Sequence, residues 1–336
     1  MIDWLTLWTD ATNLPAESLI ALRAAQDRIT RVSPDGEIKW ETTAYDSVRS
    51  DSHQITIRLG SRFCIQGSPA RVMNKNNVFG SGDIRECAWD MIYFVSFNRD
   101  IVLPPLELWS VTRVDVTHNY ALESSSMVRQ ALAELGSADG GRYQKRTMAE
   151  TIYWSPNSAI RGGKAYAKGP HLRLQVKKGQ ASATSGEIAL ADRLLRLELS
   201  LKNQYWRREA VKFWHQYTEG DFNKLHAAYF KPLIGNVRLA QIATPLNMLI
   251  KAAAVMGRNE AQAKAAYRYW LLIKNIGLRE AKALTPNSSH YHYMRILLAA
   301  GLGYSDLQDR RVTSLKPKLI ALEYPVRSWA ELATTE

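Results

Sequence analysis

The 336-residue chain has only two cysteines, Cys64 and Cys87. That is too few to staple a chain of this length, so a fold held by apolar burial in a reducing compartment is expected. Two cysteines so far apart, with seven scattered histidines, also exclude a four-ligand zinc site of nitrogen and sulfur donors. No run of ~18 uncharged apolar residues occurs, so no membrane-spanning helix is predicted. The apolar opening Met1–Trp8 is interrupted by Asp3 and has no basic segment ahead of it, which is not the pattern of an export signal. A soluble cytoplasmic protein with no membrane partner is expected. The chain also lacks a nucleotide cradle: Gly80, Gly82 and the Gly162-Gly163 pair are turn glycines without a downstream Lys-Ser/Thr, so ATP-driven chemistry is not predicted. Internal repeats and low-complexity linkers are missing too.

Acidic residues are in short supply. Asp and Glu number 32 against 44 Lys and Arg, giving a net charge of +12. With 46% hydrophobic and 23% charged residues the chain is of ordinary globular composition, and at ~150 residues per domain it has room for two domains. Such an excess of Lys and Arg points to a polyanionic partner, because cations on the protein release counterions from phosphates. Residues 161–215 carry +8 of the +12, interleaved with Tyr166, Tyr205, Trp206, Phe213 and Trp214. Cations alternating with rings suit a nucleic-acid groove. The same spacing also fits an amphipathic helix over 205–217, with Trp206, Phe213 and Trp214 in the core and Arg207, Arg208 and Lys212 on the wet side.

Periodicity divides the chain. Period-two alternation predicts strands at 4–8, 54–59, 109–117, 147–154, 164–168 and 194–201. Helices are predicted after Ser81-Gly82-Asp83 and over 124–135, and then, from about residue 204, at 205–217, 221–230, 245–256, 260–276 and 289–300. Strands first and helices afterwards give an α+β fold: a mainly antiparallel sheet domain with flanking helices over 1–205, then a helical domain over 206–336.

The candidate chemistry sits on polar strand faces. Arg113, Asp115 and Thr117 share one face of their strand, and Arg196, Glu198 and Ser200 share one face of theirs. Two carboxylates on neighbouring strands, Asp115 and Glu198, can hold a hard divalent cation; the arginines two residues before them fit structural ion pairs equally well. Tyr166 lies between Lys164 and Lys168, cations that could make a phenol a competent nucleophile toward a phosphodiester. His118 could add a nitrogen ligand, but from the opposite strand face. His290-Tyr291-His292 falls in a helical region, where two histidines at i and i+2 diverge. Helix 267–274, the Gly277 turn with a short helix, and helix 289–298 are spaced like a helix-turn-helix that would present His290, His292 and Arg295 to a major groove.

Several blocks in order resemble the gene II replication initiators of filamentous phages. They are Met1-Ile2-Asp3, Gly67-Ser68-Pro69-Ala70-Arg71 with Asn77-Val78-Phe79-Gly80, Arg113-Val114-Asp115-x-Thr117, Ala165-Tyr166-x-Lys168 and Leu195-Arg196-Leu197-Glu198. The resemblance spans most of the chain and is firmest from about 67 to 200. It implies a rolling-circle initiator fold and a site-specific endonuclease and strand transferase that nicks the plus strand at the origin through a phosphotyrosine and later rejoins the displaced strand. On that resemblance Tyr166 is the nucleophile, with Tyr205 its rival, Lys168 stabilises charge, and Asp115 and Glu198 hold Mg²⁺ or Mn²⁺. Lys164, Arg173, Lys177, Lys178, Arg196, Arg207, Arg208, Arg279 and Arg295 are the expected DNA contacts. Origin duplex, single-stranded DNA and the host helicase and polymerase are the implied partners. The chain departs from the family pattern at Lys75-Asn76-Asn77, where relatives carry Gly-His-Asn, so a base or metal ligand at Asn76 is not expected. A non-enzymatic DNA-binding regulator, or an origin-binding plasmid initiator, is the competing expectation from charge alone.

Overall fold

The computed structural model describes residues 1–50, 53–137, 143–148, 150–234, 245–307 and 324–335. Its frame is a nine-stranded sheet made from β1 (Ile2–Asp10), β4 (Asp46–Ser50), β5 (His53–Leu59), β6 (Arg62–Gly67), β7 (Ser110–Ala121), β8 (Lys145–Met148), β9 (Thr151–Trp154), β10 (Arg161–Ala167) and β11 (Leu194–Leu201). The order is β4-β5-β6-β1-β7-β11-β10-β9-β8, every pair antiparallel. A separate hairpin joins β2 (Arg28–Val32) to β3 (Ile38–Thr43). Helices α1 (Ala16–Ala25), α2 (Ala70–Met73), α3 (Ile84–Arg99), α4 (Ser125–Ser137), α5 (Lys168–Lys177), α6 (Ser185–Ala191), α7 (Asn203–Arg208) and α8 (Glu219–Ile234) surround it. Beyond lie α9 (Pro245–Val255), α10 (Glu260–Ile276), α11 (Leu278–Ala283), α12 (Asn287–Ala299) and α13 (Trp329–Thr334).

The alternation of the strands decides which face is dry. Leu5, Leu7, Val114, Val116, Leu197, Leu199 and Ala165 are buried in one cluster with Cys87, Met91 and Val95 of α3, Val128 and Leu132 of α4, and Phe222, Tyr229 and Phe230 of α8. The opposite face carries Trp4, Thr6, Arg113, Asp115, Lys164 and Glu198, brought side by side by the pairings Trp4 with Asp115, Thr6 with Arg113, and Lys164 with Glu198. The β1–β7 register shifts between Ile2 and Trp4. That bulge lets Ile2 and Leu5 both reach the core and places Asp3 between them at the polar side. Gly163 is needed for α8 to dock: a Cβ there would lie 2.4 Å from the Tyr229 ring, which is fully buried. Gly163→Ala is expected to lower stability by about 1–3 kcal/mol through overpacking, seen as a reduced thermal midpoint by circular dichroism.

The expected α+β architecture is present, and three local expectations need correction. Residues 205–217 are not one helix: α7 ends at Arg208, and a 3₁₀ turn over Trp214–Gln216 follows. Trp214 enters the core and donates to the Trp109 carbonyl at 2.7 Å, whereas Phe213 is 71% exposed. Residues 147–154 form the hairpin β8–β9 rather than a single strand. Lys168 does not continue the Tyr166 strand but opens α5.

The expected division at 205 falls within the first core, since Tyr205, Trp214 and the buried residues of α8 all belong to the sheet cluster. A second core unites α9, α10, α11 and α12 around Ala263, Ala266, Ile273, Met294 and Leu297. A third joins α5, α6 and α13 with Val78, and Val326 bridges back to Asn119 of β7. In the helical part, His290 is buried and its Nδ1 meets the Tyr269 hydroxyl at 2.6 Å, so it is a core residue and cannot reach a DNA groove. Arg279 and Arg295 are exposed. No helix among the described residues is long and apolar enough to cross a membrane.

Candidate active site

The polar face of β1, β7, β11 and β10 gathers charges from distant parts of the chain. Lys164 lies opposite Glu198, and its Nζ is 2.6 Å from Glu198 Oε1. The Tyr166 hydroxyl donates to the other carboxylate oxygen at 3.4 Å. Arg113 grips both oxygens of Asp115, at 2.9 and 2.6 Å. Asp115 stands diagonally from Glu198, because it pairs with Ser200 while Glu198 pairs with Thr117.

A second set lies beneath. Asn77 donates to Asp3 Oδ1 at 2.7 Å and accepts from Lys168 Nζ at 2.8 Å. Arg196 donates to Asn119 Oδ1 at 2.8 Å and also to the Val78 carbonyl, with Asp3 Oδ2 3.7 Å away. Asn76 caps its own turn by accepting from the Val78 amide and holds the Ser182 carbonyl, which accounts for a neutral amide at that position. His171 of α5 sets its ring edge against Tyr166, with centroids 5.3 Å apart.

Burial and neighbouring charge shift these groups apart. Burial, then the Asp115 and Asp3 carboxylates, push Glu198 up to about 7, although Lys164 opposes them. The Tyr166 phenol is raised above its ordinary value, first by burial and then by Glu198. Lys164 is partly buried, which disfavours its charge, yet Glu198 overrules this and holds it cationic. Lys168 goes the other way: complete burial, then Arg196 and Arg71, drive it well below the usual lysine range. Asp3 is held below the ordinary carboxylate range, because Arg196, Lys168, Lys164 and the Asn77 hydrogen bond outweigh its burial. His171 is lowered to about 3 by burial and by Lys168 and Arg196, so it is neutral.

The structure therefore unites Tyr166, Lys164, Glu198 and Asp115, and sets Lys168 apart as a buried amine directed at Asn77. Arg196, expected at DNA, is corrected: its side chain is 0% exposed and spent on internal partners. Arg173 is held by both oxygens of Asp192, while Lys177, Lys178, Arg207 and Arg208 are exposed. The rival phenol, Tyr205, is buried in the apolar cluster, where its hydroxyl meets that of Tyr217 at 3.4 Å. His118 lies on the far face, its ring tilted by 33° against that of His226 with centroids 3.9 Å apart, and burial lowers it to about 4. It is no ligand for the Asp115 face.

Sequence reasoning gives no role to Asp3, Asn77, Asn119 or His171. Asp3 carries the available signal, as a lone carboxylate inside the apolar run Ile2–Trp8. Among the described residues no cluster of three His, Cys, Asp or Glu is already arranged as a metal cage. The donor chemistry nonetheless suits a hard cation, for Glu198 is raised first by burial and then by the Asp115 and Asp3 charges, and a cation would stabilise its charged form.

The family profile describing the N-terminal region of the phage gene II replication-associated protein matches residues 1–220. The chain is 20% identical to the replication-associated protein of this type from Enterobacteria phage M13, over 73% of this chain and 70% of that one. It is 19% identical to the corresponding protein of Enterobacteria phage f1 over the same shares. A solved rolling circle replication initiator protein from Geobacillus stearothermophilus aligns over 69% of this chain and 80% of its own, at 10% identity and a TM-score of 0.26. With its N-terminal two-thirds matched throughout, the chain belongs to the gene II family of phage replication-associated proteins.

Proposed function

We propose that the chain initiates rolling-circle replication by nicking and rejoining one strand at a phage origin, with Tyr166 as nucleophile. The observation that carries this reading is the Tyr166 hydroxyl hydrogen-bonded to a Glu198 carboxylate lifted to about 7, beside the Lys164 cation. Without a cation on it, a carboxylate of that basicity accepts the phenol proton near neutral pH better than an ordinary one; with a cation bound to Glu198 the proton passes to water. The Tyr166 oxygen then attacks the scissile phosphorus, the bond from phosphorus to the 3′ oxygen breaks, and the leaving oxygen takes up a proton. The products are a free 3′-OH and a tyrosyl 5′-phosphodiester. Lys164 offsets the negative charge that develops on the phosphoryl oxygens. Attack by a 3′-OH on the phosphotyrosine reverses these steps and reseals the strand without ATP.

Asp115 and Glu198 would hold Mg²⁺ or Mn²⁺, exchanging Arg113 and Lys164 for it; the ion supplies Lewis-acid neutralisation of the phosphate. Origin duplex and the single strand derived from it are the DNA partners, with Lys177, Lys178, Arg207, Arg208, Arg279 and Arg295 on accessible surface. The α10–α12 helices are a candidate duplex-reading element, and the host helicase and polymerase act downstream in the host cytoplasm.

Supercoiled plasmid carrying the matching phage origin tests the reading. With Mg²⁺ the chain is expected to give open circles and DNA-linked protein that survives denaturation. Retardation of the plasmid without nicking would leave only a DNA-binding regulator or a melting initiator. Binding should also weaken steeply as salt rises, as phosphate contacts require.

A further inference from the structure

Outside the carboxylate site, the same sheet face ends in a cleft of about 430 Å³ whose lining includes Trp8, Arg62, Trp206, Arg207 and Phe213. Its walls are rings and guanidinium groups. The Arg62 guanidinium sits 3.6 Å from the centre of the Trp8 ring. Trp206 is fixed by its donation to the Leu201 carbonyl and by edge contacts with Tyr205 and Tyr217. Phe213, 71% exposed, stacks parallel to His215 at 5.8 Å. The segment carrying it is pinned by the neighbouring Trp214 and by Tyr217, both buried, so Phe213 is held out by a rigid base.

A large ring left open to water on a fixed support loses little entropy when it binds and gains apolar burial. The surrounding charge specifies the ligand. Arg207 and Arg208 are exposed and have no carboxylate partner among the described residues, and Arg62 has only Asp10 at 3.7 Å, with both side chains more than half exposed. A partner protein with an apolar anchor does not call for such a rim, whereas unpaired bases with their phosphates do. Trp4, Thr6 and Trp8 lie on one face of β1, and Trp4 pairs with Asp115. The cleft is therefore four residues, ~13 Å, along the strand from the carboxylates.

We propose that this cleft is a nucleobase-stacking subsite that grips single-stranded DNA at a distance of a few nucleotides from the scissile phosphate, Phe213 and Trp8 supplying the platforms and Arg62 and Arg207 the phosphate contacts. It rests on the nicking reading above and adds where the strand is held.

The test uses the full chain and a fluorescent oligothymidine of about 12 nucleotides, within the span that single-strand sites cover, beside an abasic strand of equal length. Phe213→Ala is expected to weaken oligothymidine binding about 5- to 100-fold while leaving abasic-strand binding and the thermal midpoint unchanged. Phe213→Trp should restore affinity, and Trp8→Phe should weaken it less than Phe213→Ala does. Unchanged oligothymidine affinity in Phe213→Ala would overturn the subsite, as would an equal loss on the abasic strand. A change in the sedimentation of DNA-free protein on that substitution would instead assign the cleft to a second copy of the chain and overturn it likewise. Adduct formation on saturating origin oligonucleotide separates the two readings: adduct retained with normal single-strand affinity in Phe213→Ala rejects the subsite alone, and no adduct from the unmodified chain rejects the nicking reading.

Discussion

Tyr166→Phe is expected to abolish the covalent protein–DNA adduct and to lower origin nicking by on the order of 10⁴-fold or more, the scale on which removing a nucleophile acts. The substitution deletes one oxygen. The ring keeps its buried place beside His171, and the hydrogen bond lost to Glu198 is long, 3.4 Å, so the stability change should stay within about 1 kcal/mol. Origin retardation should persist, which separates chemistry from folding. The companion variant Tyr205→Phe loses the 3.4 Å contact with the Tyr217 hydroxyl, within the apolar cluster, and should form adduct normally. Denaturing gels of labelled DNA after reaction read both outcomes; adduct from Tyr166→Phe would move the nucleophile elsewhere.

Glu198→Gln should cost about 10²- to 10⁴-fold in nicking, the usual contribution of a proton acceptor poised at the reacting group. It removes the acceptor for the Tyr166 proton and the counter-charge of Lys164 together. The substitution also changes how stability depends on pH in the metal-free chain. Glu198 is raised from an ordinary value of 4.5 to about 7, so over that window the folded state keeps a proton that the unfolded chain has released. The Glu198 contribution to stability then falls as pH rises from 4.5 to 7 and levels off above it, while the lowered values of His118, His171 and His226 act in the opposite sense below 6.5. Asp3 acts in the opposite sense in acid: its carboxyl is depressed below 3.8, so the stability it contributes is present above that value and is lost on further acidification. Denaturant titrations in chelator from pH 4.5 to 7.5 should show stability rising more steeply with pH in Glu198→Gln than in the wild type, the difference being the Glu198 contribution. Identical slopes would mean that Glu198 titrates normally.

Much of this site is legible in the strands, because period two assigns faces without any knowledge of partners. Spacing places Asp115 with Arg113, Glu198 with Arg196, and Lys164 with Tyr166, each pair on one side of a strand. The sheet order then joins those faces. What spacing cannot carry is depth. Arg196 and Lys164 look alike as cations on polar faces, yet one is enclosed by Val78, Asn119 and Asp3 and the other reaches the surface. Depth here is set by the loop carrying Asn76 and Asn77, which folds over the end of the sheet from about 90 residues before Lys168. Lys168 departs from its expected strand for a local reason. The Lys-Ala-Tyr-Ala-Lys pattern alternates as a strand would, but Gly169 and Pro170 follow it, and proline in the first turn starts a helix there. The stretch 205–217 departs through competition: its ring spacing fits a helix, while the burial of Trp214 against Trp109 turns the chain away. The family blocks supply what geometry leaves open, the choice of Tyr166 among fifteen tyrosines.

The strand order also sets a timetable for synthesis. β1, which precedes the other strands of the sheet in chain order, lies in the middle between β6 and β7, and β7 needs β11 on its other side. A ribosome adding ~5–20 residues per second needs roughly 10–40 s to go from β1 to the end of β11 at Leu201. Until β11 pairs, the nascent chain lacks the strand that sets Lys164 and Tyr166 of β10 beside β7, and the face carrying Asp3 and Asp115 stays incomplete. Cleavage competence thus arrives in one late step, after sheet pairings between residues that are distant in sequence, and such non-local pairings fold slowly.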